Sequence, residues 1–183
     1  MAPFLKKTDP HALAVAMTTV KMGDELLHIG CADGGRMGAI AVKVGLSGHA
    51  VAVVPDEDSA ARARRGAAGA GALVDVHTTP LSKLPLENDT FDLAILDDTG
   101  GLLATMRPED RVALVRETAR VLKPRGRVIV IGAVPRGGLA VIFTRAQSGP
   151  PFDPQPSLEA DGFRFVRLLG EREGLKFVEG VKT

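Results

Sequence analysis

The sequence predicts an α/β protein: a Rossmann-like, seven-stranded and mostly parallel sheet with helices on both faces and a C-terminal antiparallel hairpin. Three observations lead to this fold class. Apolar runs of strand length alternate with stretches of helical periodicity as far as Ile131. These runs are apolar throughout rather than at every second residue, which is typical of strands covered on both faces. Two β-like segments joined by the turn GEREG then close the chain, and this arrangement predicts a hairpin.

The first half of the chain supplies three helices and three strands. In order, they are a helix over about Pro10–Val20, a strand over Glu25–Gly30, a helix in MGAIAVKVG, a strand over Ala50–Val54, a helix over Glu57–Arg65 and a strand over Leu73–His77. Asp56 stands directly before the third helix, where a carboxylate caps free backbone N–H groups. Gly66, Gly69 and Gly71 weaken the alanine-rich continuation of this helix and predict its end.

The second half supplies the remaining strands and one long helix. In order, they are a strand over Phe91–Leu96, a helix that begins at Pro108, a strand over Arg127–Ile131, and hairpin strands over Phe163–Leu169 and Leu175–Val181. Between the fifth strand and the hairpin, Leu139–Gln147 is predicted to be a short helix. Ser148–Ser157 is rich in proline and is predicted to be an irregular loop that acts as a lid. We expect one domain over residues 1–183, with an N-terminal helix region at 1–22.

The composition excludes several classes of protein. The 183 residues carry 23 basic and 22 acidic side chains, and the Arg62, Arg64 and Arg65 run has no interleaved aromatic residues. We interpret that run as a solvated helix face and expect no nucleic-acid partner. The single cysteine, Cys31, excludes an internal disulfide framework. No apolar run reaches the roughly 18 residues of a membrane span. We therefore expect a cytoplasmic protein that acts on a small molecule.

A glycine-rich turn after the first strand is the first candidate site. It reads His28-Ile29-Gly30-Cys31-Ala32-Asp33-Gly34-Gly35. Ligands of open α/β sheets bind outside the carboxyl ends of the strands, and glycine lets a ligand approach the backbone closely. Gly30, Ala32 and Gly34 fit the alternating glycines of methyltransferases, whereas Gly30, Ala32 and Gly35 fit a dinucleotide-binding fingerprint. The turn alone leaves both interpretations open.

Four longer segments carry a more specific resemblance. They are LLHIGCADGG, LPLENDTFDLAIL, EDRVALVRETARVLKPRGRVIVIG and the closing FRFVRLLGEREGLKFVEGVK. Over about Gly23–Val181 the chain resembles the class I S-adenosylmethionine-dependent methyltransferases, and it is most similar to the small-molecule enzymes called methyltransferase type 11. The resemblance implies S-adenosylmethionine as the cofactor and a small molecule as the methyl acceptor. It also implies that the closing hairpin forms the sixth and seventh strands.

The chain departs from this family at the residues that usually anchor the cofactor. The first strand usually ends in an acid that helps to hold the cofactor's amino group, and here that residue is His28. Ala32 replaces the middle glycine, and Val54 stands where an acid usually accepts the ribose hydroxyls. Asp56, two residues later, is either a helix cap or a displaced ribose ligand. With these anchors altered, we expect S-adenosylmethionine to bind weakly.

Two adjacent carboxylates, Asp97 and Asp98, end the fourth strand. Such a pair binds a divalent metal in some related enzymes, but those enzymes need a downstream Asp-Asn pair that this chain lacks, so no metal is expected. The residues expected at the cofactor site are His28, Gly30, Cys31, Ala32, Gly34, Val54, Pro55, Asp56 and Asp97. No catalytic residue is assigned, because methyl transfer needs mainly the alignment of its reactants. The alternative hypothesis is a catalytically degenerate, methyltransferase-like protein that binds a ligand or a partner through the same cleft.

Overall fold

A single sheet organises the part of the chain that the computed structural model describes, residues 9–134 and 152–183. The strands are β1 (Glu25–Ile29), β2 (His49–Val54), β3 (Asp75–Thr78), β4 (Phe91–Asp98), β5 (Leu122–Ala133), β6 (Phe163–Arg172) and β7 (Leu175–Lys182). Their order across the sheet is β3-β2-β1-β4-β5-β7-β6. Strands β1 to β5 are parallel, and β7 pairs antiparallel with both β5 and β6. The predicted α/β fold with its C-terminal hairpin is confirmed.

Helices cover both faces of this sheet. They are α1 (Ala12–Thr18), α2 (Gly34–Ala41), α3 (Glu57–Ala70), α4 (Leu102–Thr105), α5 (Pro108–Val121) and α6 (Gln155–Ala160), with a 3-10 helix over Val42–Ser47. Pro108 stands at the first position of α5, as predicted. Among the described residues, none of the helices has both the length and the apolar composition that crossing a bilayer requires.

The predicted Pro-rich loop is wrong where it overlaps α6. Pro154 is the N-cap of this helix, and Pro156 lies in its first turn. Proline is tolerated there because the first N–H groups of a helix have no intrahelical partner to lose. Residues 148–151 of the predicted loop lie outside the described residues, and so does the predicted helix over Leu139–Gln147.

Each face of the sheet carries its own apolar core. One core lies under α1, α2 and α3 (the α1–α3 face), and the other lies under α4, α5 and α6 (the α4–α6 face). Along β4, Ile95 belongs to the first core and Leu96 to the second. Because successive residues of a strand point to opposite faces, Asp97 projects to the α1–α3 face and Asp98 to the α4–α6 face.

Helices α2 and α3 cross in close contact because glycines stand where they meet. A Cβ on Gly66 of α3 would overlap the carbonyl oxygen of Gly34, and one on Gly38 would overlap the carbonyl oxygen of Gly66. Helix α3 therefore continues past Arg65, where the sequence predicted its end, because Gly66 is required for packing against α2 rather than for ending the helix. It ends at Gly71, whose φ of 67° is the left-handed conformation common after helices.

Candidate functional site

A cavity of about 180 Å³ lies above the glycine turn, at the carboxyl ends of β1, β2 and β4. We call it the turn cavity. It is lined by Gly30, Cys31, Ala32, Pro55, Asp56, Ser59, Arg62, Asp97, Gly100, Leu102 and Thr105. Six of these belong to the set expected from the sequence: Gly30, Cys31, Ala32, Pro55, Asp56 and Asp97. The sheet brings them together because the ends of adjacent parallel strands meet at one edge.

Three of the expected residues, His28, Gly34 and Val54, do not line the turn cavity. Val54 is 0 % exposed, and its side chain lies in the apolar core on the α1–α3 face. Gly34 packs against the backbone of α3 at Arg62. An aspartate at position 54 would therefore be a charge buried in the core rather than a group at the cavity wall.

His28 lies buried at the end of β1, next to the turn. Its Nδ1 is 2.9 Å from the carbonyl oxygen of Gly30, and because a carbonyl can only accept, Nδ1 carries the proton. Burial lowers the pKa of His28 below its ordinary value, so the ring is neutral. Its Nε2 has no hydrogen-bond partner among the described residues. His28 therefore supports the backbone of the turn through its hydrogen bond to Gly30 and does not reach the turn cavity.

Asp97 forms a buried ion pair with Arg36 of α2, a residue that the sequence did not single out. Nη2 of Arg36 donates to Oδ1 of Asp97 at 3.0 Å, and the N–H of Ala32 donates to Oδ2 at 3.0 Å. The hydroxyl of Thr99 donates to Oδ1 at 2.6 Å. Burial by itself raises the pKa of Asp97, but Arg36 and the hydrogen bonds from Thr99 outweigh it and hold that pKa below its usual range. The turn is thus tied to the end of β4 by an ionised carboxylate.

The first turns of α3 form the opposite wall of the turn cavity. Oδ1 of Asp56 accepts a hydrogen bond from the N–H of Ser59 at 2.7 Å, which confirms the predicted cap. Nε of Arg62 donates to the carbonyl oxygen of Cys31 at 3.0 Å, so the interpretation of Arg62 as part of a solvated face is wrong. The sequence could have indicated this role, because Arg62 follows Ser59 by three residues and so lies on the same face of α3. Burial raises the pKa of the Cys31 thiol to about 11, so the thiol stays protonated at neutral pH. Cys31 contributes to the site through its backbone carbonyl, which accepts the hydrogen bond from Arg62.

Leu102 of α4 lies directly above the turn. Gly30 has φ of 74°, and a Cβ placed on it would come within 3.0 Å of Cδ2 of Leu102 and 3.1 Å of the carbonyl oxygen of Asp97. Glycine is therefore required at position 30 by both conformation and space. A ligand that covers Gly30 must displace the side chain of Leu102. The sequence did not predict α4, because four residues are too few to show a period.

A second cavity, of about 220 Å³, lies on the α4–α6 face at the ends of β4 and β5. We call it the apolar cavity. Its apolar walls are Ala104, Val130, Ala133, Val134, Phe152, Pro154 and Val178, and its charged residues are Asp98, Asp153, Glu171 and Lys176. Burial raises the pKa of Asp98 to about 6, and the charge of Asp97 acts in the same direction. The two adjacent aspartates therefore differ in acidity because they face different sides of the sheet.

No set of three or more His, Cys, Asp or Glu side chains in residues 9–134 and 152–183 is placed to hold a metal ion. The sheet order and the glycine turn after β1 agree with the resemblance to the class I S-adenosylmethionine-dependent methyltransferase superfamily. Residues 26–126, more than half of the chain, match the family model described as a methyltransferase domain. The chain belongs to this methyltransferase domain family.

Comparison with known proteins agrees with this assignment. Methyltransferase GfsG of Streptomyces halstedii is 28% identical over 130 residues, which are 71% of this chain and 45% of that protein. The chain spans less than half the length of the curated relatives that it matches.

Solved structures share the fold at lower sequence identity. A SAM dependent methyltransferase from Aquifex aeolicus superposes with a TM-score of 0.71 at 20% identity, over 93% of this chain and 88% of that one. The [4+2]-cyclase SpnF superposes with a TM-score of 0.62 at 19% identity, over 93% of this chain and 78% of that one. At such identities the likeness shows the fold alone, and these two proteins are named for different chemistries on that fold.

Proposed function

We propose that the chain transfers the methyl group of S-adenosylmethionine to a small-molecule acceptor. The observation that carries this proposal is a shared wall, the segment Asp97–Thr105, between the turn cavity and the apolar cavity. Asp97, Gly100, Leu102 and Thr105 line the first cavity, and Asp98, Thr99, Gly101 and Ala104 line the second. Methyl transfer requires a donor and an acceptor at one point, and its catalysis is mainly their alignment.

The groups around the turn cavity fit the cofactor chemically. S-adenosylmethionine carries an ammonium, a sulfonium and two ribose hydroxyls. Asp56 offers an exposed carboxylate at the rim for a ribose hydroxyl. Asp97 is already neutralised by Arg36, so it holds the turn in place rather than pairing with the cofactor. Gly30 leaves the backbone open to close approach once Leu102 withdraws. When bound, the cofactor supplies an electrophilic methyl group on a positively charged sulfur.

The turn cavity is small for this cofactor. Its volume of about 180 Å³ is below the roughly 300–1,000 Å³ of ordinary ligand pockets. Leu102 occupies part of the missing space, and Val54 supplies no carboxylate for the ribose. We therefore expect a dissociation constant of tens of micromolar or poorer, which corresponds to about −6 kcal/mol or less favourable.

Leu102→Ala should tighten the binding of S-adenosylmethionine and S-adenosylhomocysteine roughly tenfold, because the ligand no longer has to displace a side chain from Gly30; tenfold is about 1.4 kcal/mol. Isothermal titration calorimetry of Leu102→Ala and of the natural protein with each ligand measures this change. Leu46→Ala is the control, because Leu46 is 93 % exposed and lines neither cavity. Its affinity for both ligands should equal that of the natural protein.

A second candidate function is a methyltransferase-like module that binds a different ligand without methyl transfer. The observation that favours it is the placement of Leu102 over Gly30 together with the buried Val54. Absence of calorimetric binding at millimolar S-adenosylmethionine, by the natural protein and by Leu102→Ala, would overturn methyl transfer in favour of this candidate.

Asp56→Ala should lower the free energy of unfolding by about 1 kcal/mol, because the N–H of Ser59 loses its cap. Asp56→Ser should recover most of that loss, since serine caps helices about as well as aspartate. Urea unfolding of the three proteins measures the cap. Titration of the same proteins with S-adenosylhomocysteine tests whether Asp56 also holds the ribose. A tenfold loss in both variants would assign it that role, whereas equal affinities would leave it a cap alone.

A further inference from the structure

The apolar cavity contains a buried carboxylate that forms no ion pair with any residue of the described ranges 9–134 and 152–183. Asp98 is 8 % exposed, and its Oδ1 accepts a hydrogen bond from the N–H of Leu103 at 2.7 Å, which fixes the direction of the side chain. Within the described part of the chain, no Lys, Arg or His nitrogen lies within 4.0 Å of this carboxylate. A buried charge is costly unless it is paired, so a cation entering the cavity would be stabilised there.

Among the described residues that line the apolar cavity, three carboxylates (Asp98, Asp153 and Glu171) stand against one ammonium group, that of Lys176, so these residues make the cavity negative. Lys176 is engaged with Asp153, with Nζ 3.6 Å from Oδ1, and Glu171 adds a further carboxylate at the rim. The positive charge of Arg111 on α5 acts to lower the pKa of Asp98, although burial outweighs it. Arg111 forms no ion pair with Asp98, because its Nη1 donates to the carbonyl oxygen of Leu103 at 2.9 Å and its guanidinium lies over the ring of Phe152. Asp97, on the same strand, points to the other face and is paired with Arg36.

We infer that the apolar cavity binds a small apolar molecule that carries a protonated amine, with Asp98 as its counterion and proton acceptor. The walls of the cavity are aliphatic and aromatic, so they suit the apolar body of such a molecule. The carboxylate at its inner end suits the ammonium group and repels an acid. Use of this amine as the methyl acceptor rests on the proposed function, whereas its binding does not.

The chemistry of the transfer step then follows. The ammonium gives one proton to Asp98, which frees the nitrogen lone pair. This lone pair forms a bond to the methyl carbon as the carbon–sulfur bond breaks, and the electron pair of that bond remains on sulfur as a neutral thioether. The products are the methylated ammonium and S-adenosylhomocysteine, and Asp98 returns its proton to solvent. An ionised Asp98 is needed at the start, and its pKa of about 6 provides one at neutral pH.

Benzylamine, benzyl alcohol and benzoate are matched probes of this site. By methyl-resolved NMR titration at pH 7.5, benzylamine should perturb Ala104, Val130 and Val178, and the other two probes should bind at least tenfold more weakly. The affinity for benzylamine should fall about tenfold between pH 7 and pH 5, because Asp98 takes up a proton near pH 6 while the amine stays charged. Equal binding of the three probes, no binding, or a flat pH profile would each overturn the inference.

Two variants assign the effect to Asp98 in particular. Asp98→Asn keeps an oxygen that accepts the N–H of Leu103, so it should fold, lose at least tenfold in benzylamine affinity and lose the pH dependence. Glu159→Gln removes the same formal charge at an exposed position that lines neither cavity, and it should change the affinity less than about twofold. Equal losses in both variants would overturn the role of Asp98. The probe selectivity of the natural protein tests the inference even if Asp98→Asn does not fold. Benzylamine binding without S-adenosylhomocysteine binding would overturn methyl transfer and leave this inference standing.

Discussion

Arg36→Met should lower the free energy of unfolding at pH 7 by about 3–5 kcal/mol, the range found when one partner of a buried ion pair is removed. Methionine replaces the apolar stem of the arginine and removes the guanidinium, which leaves Asp97 buried without a cation. The side chains of Arg36 and Asp97 are 7 % and 0 % exposed, so water cannot solvate the carboxylate of Asp97 once the guanidinium is removed. Urea unfolding measures the change.

The pH dependence of this loss has a definite sign. In the natural protein the pKa of Asp97 is lowered on folding, so its stabilising contribution is present above the unfolded-state pKa of about 3.9 and is lost as the pH falls through the folded-state value. The unfolded states of the two proteins titrate alike, and without Arg36 burial raises the folded-state pKa of Asp97 above its ordinary value. The difference between the two proteins should therefore shrink as the pH falls through that raised pKa, and it should vanish below the lowered pKa of Asp97 in the natural protein. Arg36→Met combined with Asp97→Asn should recover much of the loss, since no buried charge remains.

Arg64→Met is the matched control for Arg36→Met. Arg64 pairs with Glu57 at 3.5 Å, but the two side chains are 55 % and 74 % exposed. Its loss should stay within about 0.5 kcal/mol, because exposed ion pairs contribute little. A loss below about 1 kcal/mol for Arg36→Met, close to that of the control, would show that Asp97 is not held by this pair.

Gly66→Ala should lower the free energy of unfolding by about 2 kcal/mol or more, since its new methyl group overlaps the carbonyl oxygen of Gly34 and forces α2 and α3 apart. The expected loss is net of the gain of about 1 kcal/mol that alanine brings to a helix interior. Thermal and urea unfolding measure the change.

Gly69→Ala, in the same helix, should do the opposite. A Cβ at Gly69 meets nothing within 4 Å. Only the helix propensity changes, so the substitution should raise the free energy of unfolding by about 0.5–1 kcal/mol. If both substitutions stabilise the protein, the two helices do not meet at Gly66.

The order of strands and helices could be predicted because its signals are local. Apolar runs mark the strands, Pro108 marks the start of α5, and Asp56 marks the start of α3. The true end of α3 could not be predicted, because the glycine at position 66 lowers helix propensity locally and is required by a contact with α2. Likewise, Pro156 indicates a loop until its place in a first helical turn is known.

Part of the candidate site could also be predicted from local signals in the sequence, whereas the rest depends on how the helices and strands pack. Gly30 and Pro55 follow strand ends, so the sheet places them at the turn cavity. The direction of Val54 could not be predicted, because β2 is apolar throughout and carries no alternation that shows which side faces which core. Arg36 and Arg62 act through long side chains whose reach across the site is set by the crossing of α2 and α3.

Helix α4 is part of both cavities at once. Leu102 covers Gly30 in the turn cavity, and Ala104, two residues along the same short helix, lines the apolar cavity. A ligand that displaces Leu102 also moves the wall against which a second ligand rests. Thermodynamic linkage then requires each ligand to change the affinity of the other by the same factor. Suppose that only the minority of molecules in which α4 is displaced can bind a ligand. The apparent affinity of each ligand alone is then its intrinsic affinity multiplied by the fraction of such molecules. If the displaced position of α4 suits both ligands, each ligand binds weakly alone and more tightly when the other is present.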